Sequence, residues 1–211
     1  MRIGLIAMSA KPFHAGHDGL VRMAAGECDA VHLYVSLSDR KRPGEIPILG
    51  SDMQIIWTRY IEPTLPKNVT VHYGGSPVAN IYKELDESQD ADDTFVIYSD
   101  PVDLDHNFSV AALEKWAGAL WERGQIVRQP IQRTSTVNVS GTKMREYIAS
   151  HDKASFLANM PHEVDGEAIW NVLQRSVNAS QASPTKRRKK TSIGEGLIRN
   201  YVAAFTGRMG S

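Results

Sequence analysis

The sequence of 211 residues predicts an α/β fold, a doubly wound parallel sheet of five strands followed by C-terminal helices. Two observations carry that expectation. Five short runs rich in apolar residues, 3–7, 31–35, 69–73, 94–98 and 125–128, have the length and much of the β-branched content of strands buried on both faces. Between them lie stretches at helical spacing, 16–26, about 51–61, 78–85 and 109–123. Strands alternating with helices of this length imply right-handed crossovers, and ligands then bind beyond the carboxyl ends of the strands, where the strand order reverses.

Composition narrows the classes. An apolar content of 42% over this length fits one substantial core, and 24 acidic residues balance 24 basic ones. A balanced total gives no general attraction to nucleic acid or membrane, so such partners must be read from local patches. The single Cys28 excludes an internal disulfide and a cysteine-based zinc site, and its place on the first helical stretch fits a buried thiol. No secretory n-region and h-region opens the sequence and no apolar run approaches a bilayer span, so the expected location is cytoplasmic, without a membrane partner. The expected organisation is a core domain over 1–175, a basic linker over 176–192 and an amphipathic helix over 193–211.

The loop after the first strand reads Lys11-Pro12-Phe13-His14-Ala15-Gly16-His17. Gly16 marks the turn, and His14 and His17 stand three residues apart where a helix begins. A first helical turn has unpaired N–H groups and partial positive charge, which suits a phosphate. Two imidazoles add donors. The loop after the second strand, 36–44, carries Arg40, Lys41 and Arg42 in succession. Arginine holds anions bidentately and lysine as a point charge, so Arg40 and Lys41 are candidates for gripping a triphosphate or an anionic acceptor; the alternative is a solvated basic loop. After the fourth strand come Asp100, Asp103 and Asp105, which could recruit a hydrated divalent cation, while Asp103 or Asp105 could equally open a helix beginning near Phe108.

The second stretch that carries chemistry spans 137–148. Ser140 suits an N-cap, Gly141 allows close backbone approach, Thr142 presents a hydroxyl in the first turn, and Arg145 follows one turn later on the same face. A helix start with a hydroxyl and a guanidinium on one face is a second phosphate cradle.

These two stretches together carry a resemblance. His14-Ala15-Gly16-His17 resembles the HxGH signature of the nucleotidyltransferase superfamily of adenylyl- and cytidylyltransferases, and Ser140-Gly141-Thr142 with Arg145 resembles its ISxTxxR motif in the variant with glycine before threonine. Pro12-Phe13 is similar to the pair preceding HxGH in archaeal-type nicotinamide mononucleotide adenylyltransferases, which usually have Gly-Arg-Phe-Gln where this chain has Met8-Ser9-Ala10-Lys11. Ser99-Asp100 resembles the small residue and aspartate that help hold the nucleotide, and 156–164 resembles the short helical closing segment. The resemblance covers residues 1 to about 165 and implies a Rossmann-like fold. It implies catalytic roles for His14, His17, Lys11 and Arg145, with Ser140, Thr142 and Arg145 on the β- and γ-phosphates. Nucleotide contacts are expected at Met8, Ser9, Phe13 and Gly16, at Asp100, and at Gly141. Arg40 and Lys41 are expected to bind phosphate or acceptor. Mg²⁺ is expected to be held mainly by the nucleotide phosphates, with no protein metal site.

The implied reaction is in-line attack of a small phosphorylated acceptor on the α-phosphate of a nucleoside triphosphate, releasing pyrophosphate without a covalent enzyme intermediate. The Pro-Phe-His loop and the Ser-Gly-Thr motif lean towards ATP. Cytidylyltransferases typically carry Arg-Thr-x-Gly-Ile-Ser-Thr, which residues 132–136 match only in part. Nicotinamide mononucleotide is the expected acceptor, with pantetheine phosphate, or cytidylyl transfer to a sugar or polyol phosphate, as alternatives. A reading of another class is a catalytically idle nucleotide-binding regulator. Its nucleic-acid contact would be Lys186-Arg187-Arg188-Lys189-Lys190, although no aromatic residue interleaves these cations and a solvated charge run is the ordinary reading. Farther on, Leu197, Ile198, Tyr201, Val202 and Phe205 stand at helical spacing and suit a docking or homo-oligomer contact.

Overall fold

The computed structural model describes residues 1–131 and 139–182. Strand β1 (Arg2–Met8) lies at the middle of a five-stranded sheet with β2 (Ala30–Val35), β3 (Val69–Tyr73), β4 (Thr94–Ser99) and β5 (Ile126–Pro130). The order is β3-β2-β1-β4-β5 and every pairing is parallel. This is the doubly wound, Rossmann-like α/β architecture. The strand order reverses between β1 and β4, so their carboxyl ends open the crevice in which such sheets bind ligands.

Both faces of the sheet are covered, as near-continuous apolar strands require. Ile6, Leu33, Val35 and Val96 face one core with helix α1 (Ala15–Glu27) and helix α2 (Gly50–Ile56). A π-helical turn (Trp57–Ile61) and a 3-10 turn (Glu62–Thr64) continue α2, so the expected helix over 51–61 is present with a changed pitch in its second half. Helices α7 (Gly141–Ala149), α8 (Lys153–Ala158) and α9 (Gly166–Ala182) complete that layer. Leu5, Phe95 and Ile97 face a second core under α3 (Pro77–Glu87), α4 (Pro101–Asn107), α5 (Val110–Trp116) and α6 (Gly118–Glu122). Each large apolar side chain sealed in this way contributes about 1.5–3 kcal/mol.

Three features differ from expectation by more than a residue or two. Residues 176–182 are helical rather than linker, because Val177 continues the buried stripe of Ile169, Trp170 and Leu173 along α9. The rest of the expected linker, the basic run 186–190 and the C-terminal helix lie outside the described residues, as do residues 132–136. The expected helix over 109–123 is broken at Ala117 (φ −141°, ψ 34°), just before Gly118, a poor helix former. An additional helix, α4, begins before Phe108: Asp100 is its N-cap, accepting from the Asp103 N–H at 3.0 Å, and Pro101 occupies the first position.

Beneath α3, Glu84 accepts a hydrogen bond from the Tyr34 hydroxyl at 2.5 Å and meets His32 Nδ1 at 2.6 Å. The Glu84 hydrogen bond raises the His32 pKa against the opposing effect of burial. A raised folded-state pKa stabilises the fold fully below the unfolded value of about 6.5, and that contribution is lost as pH rises through the folded value. Glu84→Gln is therefore expected to cost on the order of 1–3 kcal/mol at pH 5.5 and less at pH 8.5. Urea unfolding at the two pH values measures it, and an equal cost at both would show that the His32 charge is not involved.

Candidate active site

A cleft of about 460 Å³ opens at the carboxyl edge between β1 and β4. Met8, Ser9 and Ala10 form one wall, the start of α1 with His14, Gly16 and His17 a second, Ser99, Asp100 and Asp103 a third, and Ser140 with Gly141 a fourth. Two stretches more than 120 residues apart in sequence thus share one cavity. Leu20, Met23, Tyr98 and Val139 give it apolar surface. Of these four only Val139 lies in a motif stretch, and helical spacing from Gly16 was the available signal for Leu20 and Met23.

The chain enters the site strained. Ala10 is buried with φ 42°, a left-handed conformation that costs a residue with a Cβ of order 1 kcal/mol or more. His14 then caps α1: its backbone is extended (φ −154°, ψ 172°), and its Nδ1 accepts from the Gly16 N–H at 3.1 Å. That bond assigns the neutral ring as the Nε2–H tautomer. The His14 and His17 rings lie 3.8 Å apart, tilted by 33°. Phe13 is not in the cleft wall. It is buried in the core, stacked 5.7 Å from His17 and edge-on to Trp57 at 5.1 Å, so it braces His17 from behind.

The start of α1 is not the bare phosphate cradle that the sequence suggests. The Ala15 N–H donates to the Asn159 carbonyl at 2.9 Å, the Gly16 N–H to His14, and the His17 N–H to the His14 carbonyl at 2.9 Å. The segment after α8 has closed on the helix and taken one of its donors. What α1 offers the cleft is the two imidazoles and the helix dipole rather than a row of open amides.

On the far side, Ser140 caps α7 by accepting from the Lys143 N–H at 3.2 Å. Arg145 is buried, at 7% exposure. Its Nη1 donates to the Lys11 carbonyl at 2.9 Å and its Nη2 to Thr142 Oγ1 at 2.9 Å, while its Nε lies 3.0 Å from Glu45 Oε2. Each terminal nitrogen keeps one further N–H. The Thr142 oxygen accepts from Arg145, leaving its own hydroxyl proton available to donate. Neither Thr142 nor Arg145 is a cleft-wall residue; Gly141 separates them from the cavity, and a Cβ there would meet Arg145 Nη1 at 3.2 Å.

Lys11 is also buried, at 5% exposure, and its Nζ donates to Ser36 Oγ and Ser38 Oγ, both at 3.2 Å. Burial, and then the neighbouring Arg40 charge, push its pKa down. Arg40 forms a two-pronged ion pair with Glu45, Nε to Oε2 at 2.8 Å and Nη2 to Oε1 at 3.0 Å. Lys41 is exposed and pairs with Asp39 at 2.6 Å. The expected basic clamp is therefore already neutralised by carboxylates of its own loop. Ser36, Ser38 and Glu45 are functional candidates that the sequence alone did not single out. Among the described residues no group of three or more His, Cys, Asp and Glu side chains converges as a metal site, and no helix is long and apolar enough to cross a membrane.

Residues 3–47 match the family described as the citrate lyase ligase C-terminal domain. No curated protein sequence matches the chain. Among solved structures, a bifunctional NMN adenylyltransferase/ADP ribose pyrophosphatase from Francisella tularensis is similar in fold. It has a TM-score of 0.55 at 12% identity, over 85% of this chain and 53% of that one. Thermotoga maritima TmcAL bound with alpha-thio ATP matches with a TM-score of 0.48 at 13% identity, over 85% of this chain and 56% of that one. The chain thus spans little more than half the length of these two proteins, and at this identity the likeness to the first is one of fold.

Proposed function

We propose that this chain is a nucleotidyltransferase that moves an adenylyl group from ATP to nicotinamide mononucleotide and releases pyrophosphate. The observation that carries the reading is the meeting of the paired His14 and His17 rings with the Ser140–Gly141 start of α7 across one cleft, at the strand-order switch between β1 and β4. The family match over 3–47 covers the first of those two motifs, and the adenylyltransferase-like fold supports the same class.

In the proposed reaction an oxygen of the acceptor phosphate bonds to the α-phosphorus, the bond from that phosphorus to the α–β bridging oxygen breaks, and the electron pair leaves with pyrophosphate. Charge grows on the non-bridging and leaving oxygens, so fixed donors lower the barrier without reorganising. His14, with its proton on Nε2, and His17 supply such donors at the α-phosphate. Thr142 and the Arg145 guanidinium serve the β- and γ-phosphates from behind Gly141. Lys11 sits where a second anion, the acceptor phosphate, would relieve a buried cation that has only two hydroxyl partners. Mg²⁺, when bound, would neutralise phosphate charge; Asp100 and Asp103 are the hard-oxygen side chains on the cleft wall that fit a hydrated ion carried in by the nucleotide.

The test is pyrophosphate release with Mg²⁺, crossing ATP and CTP against nicotinamide mononucleotide, pantetheine phosphate and glycerol phosphate. Turnover with ATP and nicotinamide mononucleotide alone is the expected result. Turnover with another pair replaces the acceptor or the nucleotide, and ATP binding without turnover in any pair leaves either a phosphorylated acceptor outside this set or the idle regulator.

A further inference from the structure

Glu45 sits between two arginines. Its carboxylate takes both prongs of Arg40 and lies 3.0 Å from Arg145 Nε, and Arg40's hydrogen bonds, joined by the Arg145 charge, hold its pKa below the usual carboxylate range. Two guanidinium groups converging on one set of anionic oxygens is the geometry with which proteins hold phosphate. The residue is presented by a built structure rather than a loose loop. Arg40 and Ile48 exchange backbone hydrogen bonds at 2.8 and 3.0 Å, the Glu45 N–H donates to the Arg42 carbonyl at 3.1 Å, and Gly44 takes φ 79° at the turn. The result is a miniature hairpin with the carboxylate aimed inward and Lys41 and Arg42 outward in solvent.

We propose that Glu45 is an internal counter-anion that latches the β2–α2 loop onto Arg145 in the nucleotide-free protein, and that the terminal phosphates of a nucleoside triphosphate displace it. The proposal rests on the nucleotidyl reading of this site and adds its regulation. Triphosphate entry exchanges one anion for another on Arg145 and releases the loop that carries Arg40, so nucleotide binding frees Arg40 for the second substrate. A nucleoside monophosphate, with nothing to reach Arg145, leaves the latch closed.

The experiment titrates ATP with Mg²⁺, and separately AMP, into the wild-type protein and Glu45→Gln by calorimetry, with limited trypsin digestion after Arg40 and Lys41 as a second readout. Glu45→Gln is expected to bind ATP about 5- to 10-fold more tightly and AMP unchanged within a factor of about 2. Trypsin should cut the loop slowly in the free wild-type protein, faster when ATP is added, and fast in Glu45→Gln without ligand. ATP binding that is equal or weaker in the variant, or a loop whose cleavage ATP does not change, overturns the latch. If Glu45→Gln fails to fold, Glu45→Asp, too short to reach both arginines, carries the same expected direction. Folded proteins of which none binds ATP would overturn the nucleotidyl reading itself, an outcome distinct from equal binding.

Discussion

His17→Ala is expected to lower pyrophosphate release by about 10²–10³-fold, the usual loss for one donor aimed at developing phosphate or oxyanion charge. His17 is packed between Phe13 at 5.7 Å and His14 at 3.8 Å, so its ring is held before substrate arrives, and truncation removes the donor while Phe13 and Trp57 keep the core closed. Steady-state kinetics with the active substrate pair, alongside a melting temperature, separates the two effects. Loss of rate at an unchanged melting temperature is the expected result. Activity within a few-fold of wild type would remove His17 from the chemistry and with it the mechanism proposed above.

The largest effect on stability is expected from Gly50→Ala. A Cβ at Gly50 would stand 1.8 Å from the Leu37 carbonyl oxygen and 3.0 Å from its carbon, contacts that no rotamer change relieves because both atoms are backbone. Its N–H also donates to Asp39 Oδ1 at 2.8 Å, tying the start of α2 to the loop that bears Arg40 and Glu45. Overpacking against backbone should cost about 3 kcal/mol, read as the change in unfolding free energy in urea. Because the displaced segment is the β2–α2 loop, nucleotide affinity should change with it. A change below about 0.5 kcal/mol, the range of ordinary surface substitutions, would show that the loop yields without strain.

Much of this architecture was legible because it depends on local pattern. The strands over 69–73 and 94–98 lie within a residue of where their runs begin and end: β4, inside the sheet, is apolar on both faces, and the edge strand β3 is marked instead by β-branched and aromatic residues in alternation with exposed Thr70. Ser140 as a helix cap is likewise a local matter, a hydroxyl three residues from the N–H it accepts. The helix at Pro101 was legible in principle, from Asp-Pro at its start, whereas the carboxylates at 103 and 105 allowed either a cation or a helix beginning only near Phe108.

The sequence by itself determined the alternation of strands and helices, the two motif stretches and the edge of the sheet on which they fall, because periodicity and crossover handedness are properties of short segments and their order. Only the tertiary structure decided which polar groups remain available. Asn159 takes the Ala15 amide, Glu45 occupies Arg40 and Arg145, Lys11 is left with two serine hydroxyls, and Phe13 turns into the core. Each of these is a contact between segments distant in sequence, or a choice between core and cleft made by packing. A hydrogen bond or an ion pair forms at the distance that the whole fold sets, and residue type and spacing carry no record of that distance.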